Sequence, residues 1–168
     1  FEAEKIKIGY SAKLELDFEL LLTSIDEEVK VVFIANPNQP TGTLLTQDQI
    51  DCLIQKTKET NTLLVFDEAY QPFSGQESGI RYTKDFSHVI IVQTFSKAFG
   101  LASVRLGYIV TQPINIQWLY KVKPYADINL FAIKLGEYLL DHYPIVEEYV
   151  ESINESKDSA LVKTTPHG

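Results

Sequence analysis

The sequence predicts an α/β fold built on a mostly parallel sheet with one antiparallel strand, and three observations carry that prediction. Short apolar runs alternate along the chain with stretches of helical periodicity. The run KVVFIANP, from Lys30 to Pro37, is continuously apolar at its centre, as strands covered on both faces are. The link between the last two runs, HVIIVQTF and VRLGYIV, is only about ten residues, whereas a parallel crossover usually takes a dozen or more. The strand at Val104–Val110 should therefore run antiparallel to its predecessor.

Each element follows in order. AEKIKIGYSA, from Ala3 to Ala12, reads as a first strand. Phe18, Leu21, Leu22 and Ile25 recur at helical spacing, with Asp17 placed to cap the first turn. KVVFIANP is the second strand. Thr46 and Gln49 then form a T-x-x-Q capping box, and Ile50, Leu53, Ile54 and Thr57 line one face of the helix it opens, which ends near Asn61. TLLVFDEAY, HVIIVQTF and VRLGYIV give three more strands. Beyond Thr111 the pattern is helical. Pro113 suits a first helical turn and Pro124 ends that helix. A second helix spans about Asn129 to His142, stopping before Pro144. A third carries Val146, Tyr149, Val150 and Ile153 as its apolar stripe. The closing KTTPHG reads as loop.

Composition bounds the function class. The chain has 168 residues, 45 % hydrophobic and 23 % charged, an ordinary balance for a globular domain. No apolar run approaches the roughly 18 residues of a membrane span, and no secretory leader pattern opens the chain; a cytoplasmic location is expected. The net charge of −8 disfavours nucleic acid as a partner. Acids gather late, at Glu147, Glu148, Glu151, Glu155 and Asp158, as on the solvated face of a helix. Cys52 is the lone cysteine and sits in an amphipathic pattern, where core or boundary packing is the expected role. The chain opens on Phe1 and holds no methionine, which points to a start inside a longer reading frame or to processing.

Three successive strands end in polar residues: one in NPNQPTG, one in DEAY, one in TFSK. Ligands of open α/β sheets bind outside the carboxyl ends of the strands, so these groups should converge. Lys97, if desolvated at a strand end, gains a neutral amine able to form Schiff bases with carbonyl compounds. Asp67 directly follows LLVF and needs a cationic partner, which a protonated ring nitrogen would supply. Thr94, Ser96 and Arg105 offer two hydroxyls and a forked guanidinium, a set suited to a phosphate group. Together they describe a site for pyridoxal 5'-phosphate. Taken singly, each has an ordinary reading: strand-end lysines snorkel to water, Asp67 and Glu68 open a turn, Arg105 is a surface cation, Tyr70 packs, and PNQPTG is a turn.

In combination the segments are more specific. ANPNQPTGT at Ala35 to Thr43, DEAY at Asp67 to Tyr70 and TFSKAFGLASVRLGY at Thr94 to Tyr108 stand in the order and spacing of the class I/II aminotransferases. The sequence most resembles the histidinol-phosphate aminotransferase-like branch of these fold-type I enzymes, over residues 1 to about 155. The resemblance implies a three-layer large domain with a mostly parallel sheet. It would span residues 1–168, with 145–168 leading toward a small C-terminal domain. Lys97 would be the Schiff-base lysine and the carrier of the substrate α-proton. Asp67 would pair with the pyridine nitrogen, Tyr70 would donate to the phenolic oxygen, and Thr94, Ser96 and Arg105 would bind the phosphate. No metal ligand is assigned.

Two positions depart from the family pattern. Gln39 stands where the family has an asparagine contacting the phenolic oxygen; its amide is one methylene farther out, and Asn38 is a neighbouring substitute. Ser103 replaces a usual glycine. The resemblance also implies parts that do not lie within these residues: an upstream phosphate-binding turn with a ring-stacking aromatic, a downstream arginine for the substrate carboxylate, and a tyrosine lent by the partner subunit of a homodimer. The expected activity is transamination between an amino donor such as glutamate and a keto acid, with histidinol phosphate as the substrate implied by the subfamily. The chain alone is expected to lack full competence. The rivals are a sister enzyme, an amino-acid-phosphate decarboxylase or an aromatic aminotransferase, and a non-catalytic cofactor-binding regulatory module or inactive fragment.

Overall fold

The computed structural model describes residues 4–122 and 128–164. Among them a four-stranded sheet runs in the order β1 (Val31–Ala35), β2 (Leu63–Asp67), β3 (Val89–Thr94) and β4 (Gly107–Val110). The first three strands are parallel, and β4 is antiparallel to β3, as the short link requires. The expected mixed α/β architecture is thus present. β4 is shorter than the Val104–Val110 expected: residues Ala102–Val104 form a turn of 3-10 helix, and Arg105 adopts left-handed backbone with φ 57°, which breaks the extended path.

Helix α1 (Phe18–Thr23) starts where Asp17 caps it, its carboxylate accepting from the Leu20 amide at 3.0 Å. Helix α2 (Gln47–Glu59) starts at the expected capping box. The Gln49 amide donates to the Thr46 hydroxyl at 3.2 Å, and the Thr46 amide to the Gln49 side chain at 2.9 Å. Such a cap is worth about 1 kcal/mol. From α2, Leu53, Ile54 and Thr57 are buried, with Ile50 partly so.

Period-2 alternation sorts the sheet into two faces. Val32, Ile34, Leu64 and Phe66 enter the core with Leu21 and Ile25. Each large aliphatic removed from water contributes about 1.5–3 kcal/mol. The alternate residues Val31 and Leu63 are exposed, and Phe33 is 64 % exposed. This corrects the expectation that the second strand is covered on both faces: its apolar run has one covered side among the described residues.

Beyond the sheet lie α3 (Pro113–Val122), α4 (Leu130–Asp141) and α5 (Pro144–Thr164). Pro113 opens α3 as expected, and Asn129 caps α4 through the Ala132 amide at 2.8 Å; Pro124 lies outside the described residues. Only Val146 and Val150 of the α5 stripe are buried, against Ala98, while Tyr149 and Ile153 are exposed. Phe73, Phe99 and Leu139, partly buried, pack against the same patch. Glu147, Glu148, Glu151 and Glu155 face solvent, and the side chain of Asp158 lies outside the described set. The helix also reaches Thr164, past the expected start of the tail, and 165–168 lie outside the described residues.

Two further expectations are corrected. AEKIKIGYSA forms no strand across its described part; Ile6 is 62 % exposed, and a single bridge pairs Tyr10 with Leu16. Alternation alone cannot make a strand without a neighbour to accept its hydrogen bonds. Cys52 is exposed on α2, one position off the buried stripe.

Candidate functional site

The parallel register places three chain segments side by side at the carboxyl edge of the sheet. Ala35 pairs with Asp67, Asp67 with Val92, and Thr94 with Gly107. Alternation from Phe66 and Ile91 puts Asp67 and Thr94 on the face turned away from α1 and α2. Gly107 lets β4 approach: a Cβ there would lie 2.9 Å from the Gln93 carbonyl oxygen, which is backbone and cannot yield. That closeness brings Arg105, two residues before Gly107, to the end of β3.

Asp67 is half-buried, and its Oδ1 accepts from the Ala69 amide at 3.0 Å. This Asx-type turn bends the chain so that Tyr70 follows at the sheet edge. Lys97 lies in the turn after β3, with Nζ 5.0 Å from the Tyr70 ring centroid. Lys97 is exposed, not desolvated as the sequence reading required. The turn is tied to itself: Gly100 donates to the Lys97 carbonyl at 2.9 Å, Leu101 to that of Phe95 at 2.9 Å, and Phe95 to that of Leu106 at 3.0 Å.

The phosphate-suited trio is partly assembled. The Thr94 hydroxyl accepts from the Ser96 amide at 3.1 Å and donates to the Leu106 carbonyl at 3.3 Å, so the two residues form one compact corner. Arg105 is exposed and donates through Nη1 to the Ala102 carbonyl at 2.9 Å, which leaves its remaining N–H donors for a ligand. Left-handed backbone costs a non-glycine residue roughly 1–2 kcal/mol, and Arg105 adopts it at φ 57° just before β4.

The NPNQPTG turn closes with the Asn38 amide donating to the Thr43 carbonyl at 2.9 Å, and Gly42, at φ 72°, donating to that of Asn38 at 2.8 Å. Asn38 donates from its side-chain amide to the Thr41 hydroxyl at 2.7 Å, which engages one of that group's two N–H bonds within the turn. Gln39 is exposed and lines a cleft of about 290 Å³ with Tyr70, Phe73, Ser74 and Lys157 of α5. Among the described residues, Asp67, Lys97 and Arg105 form no ion pair. Three charged groups at one sheet edge without an ionic partner among the described residues are a set able to receive a ligand carrying both signs.

Several residues escaped the sequence reading. Asn36, buried at the end of β1, accepts from the Leu45 amide at 2.9 Å and ties the turn's two ends together. Glu68 is 4 % exposed and accepts from the Ser78 hydroxyl at 2.6 Å, the Gly79 amide at 2.6 Å and the Gln93 side chain at 2.7 Å. Gln93 in turn accepts from the Tyr108 hydroxyl. Burial, then the neighbouring Tyr143 and Glu68, push that phenol above its ordinary value. The available signal was Gln93 itself, a polar residue inside the apolar run VIIVQTF.

The model of the aminotransferase class I and II family matches residues 1–156. A histidinol-phosphate aminotransferase of Burkholderia lata is 35 % identical over 147 residues, covering 87 % of this chain and 40 % of that protein. The solved histidinol-phosphate aminotransferase of Sinorhizobium meliloti, in complex with pyridoxal-5'-phosphate, superposes with a TM-score of 0.80 at 29 % identity, over 91 % of this chain and 42 % of that one. An L-threonine-O-3-phosphate decarboxylase of Porphyromonas gingivalis superposes with a TM-score of 0.63 at 28 % identity, over 71 % and 37 %. The chain thus spans about two fifths of the length of the proteins it matches.

Proposed function

The chain belongs to the class I and II aminotransferase family, and from that premise we propose that it forms the cofactor-binding part of a pyridoxal-phosphate-dependent aminotransferase. The observation that carries this is the juxtaposition of Lys97 and Tyr70, 5.0 Å from Nζ to ring centroid, beside the strand ends that present Asp67 and Thr94.

The residues present fit the cofactor. Asp67 is a half-buried carboxylate with no cationic partner among the described residues, and so is open to a protonated ring nitrogen. Thr94 and Ser96 form a corner of hydroxyls, and Arg105, just before β4, keeps guanidinium donors unused, a set suited to the phosphate. When bound, pyridoxal phosphate supplies an electron sink for the pair left behind as the substrate α-proton departs.

The chain's own groups perform the rest. Lys97 would hold the cofactor covalently and, once its amine is free again, would carry the substrate α-proton on Nζ. Asp67 would keep the ring nitrogen protonated and so strengthen the sink. Tyr70, its ring 5.0 Å from Nζ, would donate its hydroxyl to the ring oxygen. Gln39 reaches into the cleft beside Tyr70, as the longer counterpart of the family's asparagine. The two matched histidinol-phosphate enzymes support histidinol phosphate as the amino-group substrate; 2-oxoglutarate as its partner and a homodimer of the whole protein are part of the same proposal. The similarity to a threonine-phosphate decarboxylase favours one rival: the same anchor serving carbon dioxide release.

Borohydride reduction with added pyridoxal phosphate, followed by peptide mapping, tests the site. A phosphopyridoxyl group on Lys97 is expected. Labelling spread evenly over other lysines would overturn the assignment. Carbon dioxide release in place of a keto product would decide for the decarboxylase.

A further inference from the structure

Consecutive residues at the end of β2 point to opposite faces of the sheet. Asp67 faces the site. Glu68 turns to the other side, where α1 and α2 pack, and there it lies among neutral donors: Ser78 and Gly79 from the 3-10 segment Gly79–Lys84 and its cap, and Gln93 from β3. Gln93 and Tyr108 are register partners across β3 and β4, and they share that face.

This row has a direction. A carboxylate only accepts hydrogen bonds, so Glu68 obliges Gln93 to point its amide nitrogen inward. The Gln93 oxygen then faces outward, and Tyr108 must donate to it. Tyr108 packs edge-on against Phe95 with centroids 5.6 Å apart, and Phe95 lies 4.5 Å from Phe99. Those two rings bracket Lys97 in sequence. The relay therefore runs from the strand end that bears Asp67 to the turn that bears Lys97, along the back of the sheet.

We propose that Glu68 is a positioning residue: acting through Gln93 and Tyr108, it fixes the Thr94–Arg105 turn against β2 and so sets Lys97, Thr94 and Arg105 relative to Asp67. Its relevance to cofactor binding rests on the function proposed above. Glu68→Gln would replace one acceptor oxygen with a donor. Gln93 would have to flip to avoid donor facing donor, and Tyr108 would lose its acceptor.

The test is amide hydrogen exchange by NMR on the whole 168-residue chain, with pyridoxal phosphate affinity measured in parallel. In Glu68→Gln and in Tyr108→Phe, the Phe95 and Leu101 amides should exchange about tenfold faster relative to the core Leu64 amide, the factor for one hydrogen bond of ordinary net strength. Affinity should fall with them, and the double variant should add little. Faster exchange confined to the Gly79 amide would overturn the proposal, leaving Glu68 as a local brace; so would additive losses. If Glu68→Gln does not fold, Tyr108→Phe and Gln93→Leu carry the same expectation. Faster Phe95 and Leu101 exchange in a chain that takes up no pyridoxal phosphate would uphold the relay and sink the cofactor function instead.

Discussion

The ammonium of Lys97 and the ring of Tyr70, 27 positions apart in sequence, meet at 5.0 Å between two adjacent parallel strand ends. The contact is of cation–π type and exposed, worth about 0.5–1 kcal/mol. It holds the amine over the cleft side of the sheet edge with no acid to neutralise it. Lys97→Ala should abolish any borohydride-trapped adduct while lowering stability, read from the urea midpoint, by no more than the worth of that contact, about 1 kcal/mol. Tyr70→Phe keeps the ring and should retain the adduct, with cofactor affinity down about tenfold for one lost hydrogen bond. Absorbance titration checks both.

Asp67 should matter more. Asp67→Asn keeps the size and the acceptor toward the Ala69 amide but removes the charge. Hydrogen bonds to charged groups are worth about 1.5–3 kcal/mol, so cofactor affinity should fall by roughly 10- to 150-fold. An unchanged dissociation constant would remove Asp67 from the site.

Gly107→Ala probes the approach of β4. The added methyl meets the Gln93 carbonyl at 2.9 Å, so β3 and β4 must separate. Destabilisation of about 1–3 kcal/mol is expected from such overpacking, read as a lower urea midpoint, together with weakened phosphate binding as Arg105 moves. An unaltered midpoint would show that the strands have room.

On the far side of the sheet, Leu53 is 0 % exposed. Leu53→Ala should cost about 2–5 kcal/mol, while Thr46→Ala, which opens the capping box, should cost about 1 kcal/mol. Chemical denaturation separates the two. Equal losses would contradict the burial order.

His88 gives the fold a pH dependence. Burial lowers its pKa, against the opposing hydrogen bond from its ring to the Ile54 carbonyl at 3.1 Å, and Lys58 lowers it further. The unfolded chain then binds the proton more readily than the folded one. The stabilisation is full above the unfolded value near 6.5 and is lost as pH falls through the lowered native value. Denaturation curves of wild type and His88→Gln should therefore diverge above pH 6.5 and converge below it.

What the sequence made legible was local or periodic. The Thr46–Gln49 box, the Asp17 cap and the antiparallel β4 depend on short spacings and link length, and all are present. The stretch around Ile6 and Ile8 alternates like a strand, yet no described neighbour pairs with it, and alternation carries no information about a partner. The DEAY and SKA motifs placed Asp67, Tyr70 and Lys97 near one another; their matching letters could not tell that Lys97 would stand exposed. Glu68 was hidden for a different reason. Its partners lie 10, 11 and 25 residues away, and one of them is a backbone amide, which has no letter of its own.

The opposite facing of Asp67 and Glu68 makes the end of β2 a reading frame. A strand advances by half a turn per residue, so inserting or deleting one residue between Leu63 and Asp67 exchanges the two acids. The carboxylate meant for the open crevice would be thrust among Ser78, Gly79 and Gln93, and the one built for that enclosure would hang in solvent. Both acids would still be present, and a motif search would still find them. Chemistry here therefore depends on parity as much as on identity: an even shift in strand length could be absorbed, whereas an odd one silences the edge.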